Sequence, residues 1–160
     1  VGDLNRAEKG VRMHTDQFHP EGPDNLLITS VDAALAGQNT LLAAESLGYG
    51  GVIIGLVRYE AAQVAKLFNL PDYTYPVFGM ALGVPNQNHP VKPRLPLETV
   101  VFEESYQEQT PEVIEAFDRV QTAYAGARAT DTWSQRLAAQ FGQEEPAATA
   151  ELLKKHQLEK

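Results

Sequence analysis

Cysteine is absent from these 160 residues, which excludes disulfides, thiolate nucleophiles and Cys-ligated metals and fits a reducing compartment. Basic residues are in the minority: 13 Lys and Arg stand against 21 Asp and Glu, a formal net charge of -8 and a pI near 4.9. A surface that displaces counterions from a nucleic-acid backbone needs clustered cations, so nucleic acid is not an expected partner. There is no uninterrupted run of about eighteen apolar residues to span a bilayer and no charged-then-apolar leader, so no membrane partner is expected and a cytoplasmic location is. Gly-x-Ser-x-Gly and any His-rich ligand spacing are missing, so neither a serine hydrolase nor a metal site is expected, and His14 and His19 read as solvated.

What is present is an ordinary globular composition, 43% hydrophobic and 21% charged, in a length that suits one domain over residues 1–160. The chain has no initiator Met, and Val1-Gly2-Asp3-Leu4 reads as the tail of a strand entering a polar loop, so it is expected to be a piece of a longer protein. Residues 5–25 lack sustained periodicity and read as a long loop with one short helix. From Thr29 or Ser30, either a good N-cap, a helix is predicted to run to Leu47 and stop at Gly48. Its apolar residues encircle it, which suits a core or a dimer interface; Gln38 and Asn39 must then be satisfied within the core or face a ligand or partner subunit. Val52 to Val57 and Val77 to Gly83 read as buried strands flanking a helix from Glu60 to Leu70, a spacing reminiscent of βαβ. Thr110-Pro111 starts a helix to about Ala125, Trp133 is expected to pack, and Ser134–Phe141 and 147–157 are further helical candidates.

Two features carry possible chemistry. The first is Gly48-Tyr49-Gly50-Gly51-Val52-Ile53-Ile54-Gly55, where glycines close a helix and open a strand. Dinucleotide and phosphate loops use the opposite order; the third glycine of a dinucleotide fingerprint is missing, and Gly55 is followed by Leu56 rather than lysine. Alone, the cluster reads either as a C-cap and tight turn or as a ligand cradle. The second feature is the segment from Asn86 to Pro96, stiffened by Pro90, Pro93 and Pro96, in which Lys92 and Arg94 stand two residues apart and in extended backbone project to one side. Such a pair is either a phosphate site, with Arg bidentate and Lys a point charge, or two solvated surface cations.

Taken in order, Ala43-Ala44-Glu45-Ser46-Leu47-Gly48, Gly50-Gly51-Val52-Ile53-Ile54-Gly55, Lys92-Pro93-Arg94-Leu95-Pro96, Glu104-Ser105-Tyr106-Gln107 and Thr132-Trp133-Ser134 resemble the oxygen-insensitive NADPH nitroreductases and NADPH–flavin oxidoreductases of the nitroreductase superfamily. The resemblance covers almost the whole chain from about Asp3. It implies an α+β homodimer, a mainly antiparallel sheet surrounded by helices, with FMN at the subunit interface. It further implies that the backbone at Ile53, Ile54, Gly55 and Leu56 faces the flavin ring, that Lys92 and Arg94 hold the FMN phosphate, and that Arg128 grips the 2′-phosphate of NADPH, with NADH the alternative reductant. Where the family usually has a second glycine this chain has Leu56, and the loop before Thr132-Trp133-Ser134 is short for the family. The family's N-terminal His-Arg-Ser-x-Arg motif has no counterpart here, so the chain is expected to be the C-terminal two thirds of an FMN domain; if nothing precedes Val1, it is expected to bind FMN weakly or not at all.

The chemistry implied is hydride transfer from NAD(P)H through FMN to a nitroaromatic, a quinone or free flavin, the two substrates using one face in turn with ping-pong kinetics. No acid–base dyad is required, and no catalytic side chain is assigned. The competing readings are a truncated, non-catalytic homologue serving as a structural or flavin-binding module, and an acidic protein-interaction domain.

Overall fold

The computed structural model describes residues 1–144 and 148–159. They fall into two compact units, Val1–Gln87 with Pro146–Lys160, and Asn88–Glu145. In the first unit the chain runs β1 (Gly2–Asp3), α1 (Asn5–Arg12), α2 (Pro23–Ser46), β2 (Gly50–Ile54), a 3-10 stretch (Gly55–Glu60), α3 (Ala61–Leu67), β3 (Thr74–Tyr75) and β4 (Gly79–Gly83). The second unit contributes α4 (Pro111–Ala125), a 3-10 turn (Gly126–Arg128) and α5 (Trp133–Phe141), after which α6 (Ala148–Lys155) returns to the first.

α2 begins at Pro23, not at Thr29 or Ser30 as the sequence suggests. Gly22 precedes it at φ 121, a conformation only glycine adopts freely, and Pro23 brings a preset φ to the first helical position. Thr29 and Ser30 lie inside the helix instead. The Thr29 hydroxyl donates to the Asn25 carbonyl at 2.8 Å, and both hydroxyls meet the Tyr75 phenol at 2.8 Å. The C-terminus is as expected: Gly48 takes φ 84, its N–H donates to Glu45 and that of Tyr49 to Ala44, both at 3.0 Å, which satisfies carbonyls the helix leaves open.

One stripe of α2 packs on strands. A Cβ on Gly37 would lie 2.4 Å from Phe78 Cζ, and one on Gly51 2.5 Å from Leu41 Cδ1, so both contacts depend on missing side chains. The expectation of burial on several sides is not met within this chain. Only Thr29, Gly37 and Ala44 of α2 are buried; Leu27, Ile28, Val31, Leu35 and Leu42 form an exposed second stripe, and Gln38 and Asn39 are exposed rather than satisfied in a core. By length and a mean hydropathy of 1.2, α2 alone among the described helices is long and apolar enough to cross a membrane.

The sheets are antiparallel, as the resemblance implies. β1 pairs with β3 through Gly2↔Tyr75 and Asp3↔Thr74, and β2 pairs with β4 from Gly50↔Gly83 to Ile54↔Gly79. The βαβ-like spacing therefore does not describe the topology: β2 and β4 flank a helix yet run in opposite directions. Their bounds are also shorter than predicted: the chain turns into a 3-10 helix at Gly55, and β4 opens only at Gly79. Val52, Ile53 and Ile54 are exposed, so β2 is not the buried strand its composition suggests.

The core of the first unit is built from Ala61 and Ala65 of α3, Tyr75 of β3, and Leu152 and Leu158 in and after α6, with Leu4, Leu26, Leu70, Tyr73, Val77 and Leu153 around them. The last segment is fastened to the strand region by its backbone. Tyr73 N–H donates to the His156 carbonyl at 2.9 Å, and His156 Nδ1 meets the Thr74 carbonyl at 2.8 Å. The predicted start of this helix, at Pro146 and Ala147, lies outside the described residues.

In the second unit, Thr110 occupies the N-cap of α4 with Pro111 at N1, as predicted, although its side chain makes no cap bond to the backbone. α5 starts one residue earlier than predicted, at Trp133, because Thr132 and Gln135 form a reciprocal capping box. Trp133 packs edge-on against Phe117, centroids 5.0 Å apart.

Candidate functional site

The two sequence features occupy different units. In the first, Ile53 and Ile54 end β2 opposite Met80 and Gly79, and Gly55 opens the 3-10 turn. The first N–H groups of a helical turn have no acceptor within it, so Gly55 and Leu56 bring donors to the end of an exposed strand. Arg58 braces this corner. Its Nη1 donates to the Val77 carbonyl at 2.8 Å, and its guanidinium would lie 3.2 Å from a Cβ on Gly55, so the turn passes close over the arginine. The Leu56 side chain, 71% exposed, projects to solvent. The corner is a flat apolar rim with backbone donors at its end, and its glycines act both as cap and turn (Gly48) and as sites of close approach (Gly51, Gly55).

In the second unit, Lys92 and Arg94 are exposed while Pro93 and Leu95 are half-buried, so the two cations alternate onto one side of an extended segment. Neither makes an ion pair or side-chain hydrogen bond among the described residues. The backbone beneath them is held from α4: Gln121 Nε2 donates to the Pro93 carbonyl at 3.0 Å, and the Tyr124 hydroxyl donates to the Pro90 carbonyl at 3.1 Å. Arg128, on the turn after α4, lies with its guanidinium 5.9 Å from the Tyr124 ring centroid and is otherwise exposed. The three cations predicted from the sequence therefore sit around one face of α4.

Gln121, Tyr124 and Arg58 were not marked by sequence reasoning. Gln121 is 93% buried in a helix whose other buried residue is Phe117, four positions earlier. A polar residue at an apolar helical position was the available signal, since a buried amide must find partners. Arg58 gives no local signal; its partner is nineteen residues away.

Asp118 secures the start of α5. Its carboxylate accepts the Ser134 backbone N–H at 2.8 Å and the Ser134 hydroxyl, and the hydroxyl above all holds its pKa below the ordinary aspartate value. In the first unit, Glu8 is ion-paired with Lys9 at 3.0 Å and bonded by Arg12, which lowers its pKa. Among the described residues no group of three metal-ligating side chains occurs. His14 and His19 are exposed. What the geometry offers is a pair of uniformly directed cations, unpaired among the described residues, on a braced backbone, a donor set suited to a phosphate monoester.

Two family models cover most of the chain: one described as the nitroreductase family matches residues 11–84, and one described as the nitroreductase family, C-terminal domain, matches residues 92–160. A curated NADPH-flavin oxidoreductase from Vibrio harveyi is 48% identical over 115 residues, covering 69% of this chain and 48% of its own. Among solved structures, nitroreductase A from Vibrio parahaemolyticus is 38% identical with a TM-score of 0.86, covering 99% of this chain and 65% of that one. The NADPH:FMN oxidoreductase from Vibrio harveyi complexed with NAD+ is 37% identical with a TM-score of 0.83, covering 98% and 64%. The chain thus spans about half the length of the curated relatives it matches.

Proposed function

The chain belongs to the nitroreductase family, and on that premise we propose that it is part of an FMN-dependent NAD(P)H oxidoreductase that reduces nitroaromatics, quinones or free flavin. The observation that carries the reading is the pair Lys92 and Arg94: in a chain of net charge -8, two cations without acidic partners among the described residues stand side by side on a segment held by α4. When bound, the flavin supplies the hydride chemistry. The residues of this chain bind and orient. Lys92 and Arg94 neutralise the phosphate, Arg by a two-pronged contact. The backbone of Ile53, Ile54, Gly55 and Leu56 offers amide donors to the polar edge of the ring, and Val52, Ile53 and Ile54 supply the apolar rim. Arg128 is the residue proposed to favour NADPH over NADH through the 2′-phosphate.

A homodimer belongs to the same reading. The exposed stripe Leu27, Ile28, Val31, Leu35 and Leu42 runs along one helix beside exposed β2, and a second copy would cover it. The proposed compartment is the cytoplasm, where reduced pyridine nucleotide is generated.

The test is a titration of the full chain with FMN and with riboflavin, read by quenching of flavin fluorescence. FMN is expected to bind more tightly than riboflavin, and Lys92→Ala with Arg94→Ala to reduce FMN affinity at least tenfold, about what one or two charge-assisted contacts contribute, leaving riboflavin unaffected. Equal binding of FMN by wild type and double variant would sink the assignment. NADPH added anaerobically to the FMN-loaded protein is expected to bleach the flavin absorbance.

A further inference from the structure

The Lys92/Arg94 segment has no regular secondary structure, yet two of its carbonyls three residues apart, Pro90 and Pro93, each accept a hydrogen bond from residues three apart on α4, Tyr124 and Gln121. The matching intervals place Lys92 between the two anchor points and Arg94 directly after the second. The prolines make this anchoring informative. Pro90, Pro93 and Pro96 have no N–H to offer a strand ladder, so the segment can be fixed through its carbonyls but not by ordinary pairing. Tyr124 serves twice: its hydroxyl holds Pro90, and its ring lies under the Arg128 guanidinium.

Resting on the function proposed above, we infer that Gln121 and Tyr124 are positioning residues: together they set the phosphate-facing cations Lys92 and Arg94, and Tyr124 alone also sets Arg128, so that flavin retention and pyridine-nucleotide selectivity share one side chain. Neither residue touches the reacting atoms. Their effect passes through the places at which three other side chains are held.

The substitutions separate the two duties of Tyr124. Tyr124→Phe removes the hydroxyl bond and keeps the ring; Tyr124→Leu removes both; Gln121→Leu removes the Pro93 anchor and keeps the volume. The backbone of Val91, Lys92, Arg94 and Leu95 in the full chain without ligand, followed by amide nitrogen relaxation, is expected to become more mobile in Tyr124→Phe and Gln121→Leu. In each, FMN affinity is expected to fall about fivefold, the magnitude of one ordinary hydrogen bond, with riboflavin affinity unchanged and the far-ultraviolet circular dichroism retained. Tyr124→Leu is expected in addition to raise KM for NADPH but not for NADH, a change Tyr124→Phe does not make. Unchanged backbone mobility and FMN affinity in both single variants, alongside weakened FMN binding by Lys92→Ala with Arg94→Ala, would overturn the positioning roles and leave the function intact. Failure of the Lys92/Arg94 double variant to change FMN binding would remove the function and this inference together. A KM for NADPH that rises equally in Tyr124→Phe and Tyr124→Leu would refute the second duty of Tyr124.

Discussion

Gly37 shows how much a single missing side chain decides. In the middle of α2, alanine there should gain about 1 kcal/mol in helix propensity, but its Cβ would strike the Phe78 ring, and overpacking costs about 1–3 kcal/mol. Gly37→Ala is therefore expected to destabilise the wild-type chain and to stabilise one that already carries Phe78→Ala, a change of sign readable by urea unfolding of the four variants. Asp118 gives a prediction in pH. Its folded pKa is depressed by the Ser134 hydroxyl, so the stability it contributes is present above the ordinary aspartate value of 3.8 and is lost as pH falls through the lower folded value. Asp118→Asn is expected to flatten the acid limb of stability measured between neutral pH and about pH 3; an unaltered limb would show that other carboxylates govern it. Lys92 and Arg94 were legible in the sequence because what presents them is local: alternation in an extended, proline-limited segment. Gln121 and Tyr124 were not, because their partners lie 28 and 34 residues away and nothing in the spacing announces them.

At the level of elements, sequence signals located most helices, placed the start of α4 correctly and erred on the starts of α2 and α5. Thr29 and Ser30 have the composition of a cap, and the true start was hidden because Gly22-Pro23 also reads as a turn; only the Tyr75 phenol, 46 residues from Thr29, explains why hydroxyls lie inside α2. β2 was misread as buried because its residues are β-branched and glycine-bounded, which describes an apolar strand whether its cover comes from its own chain or from elsewhere. α6 was legible as a helix, and its purpose is packing. Leu152 is almost fully enclosed, so Leu152→Ala is expected to cost about 3 kcal/mol, seen as a lower urea midpoint with an unchanged slope. A loss below about 1 kcal/mol would mean that the site collapses on the smaller residue.

For the whole molecule, the family resemblance carried the α+β class and the antiparallel sheets, which periodicity alone rendered as βαβ. The exposed stripe on α2 makes the last prediction. Wild-type chain is expected to self-associate in sedimentation equilibrium, and Leu35→Lys, at the centre of the stripe, to shift it to monomer while leaving the far-ultraviolet circular dichroism unchanged. A wild type that stays monomeric at its highest soluble concentration would argue against the dimer.

Tyr73 and Thr74 are held by the backbone and ring of His156, and Leu152 and Leu158 complete the enclosure around Ala61 and Tyr75. During synthesis on the ribosome, Ala61 and Tyr75 emerge long before the leucines that will cover them, and the entire Asn88–Glu145 unit must be translated in between. The first unit consequently waits, open at that flank, until Leu152 and Leu158 clear the exit tunnel. In the nascent protein, the interval between those two moments is when a chaperone would find apolar surface to hold.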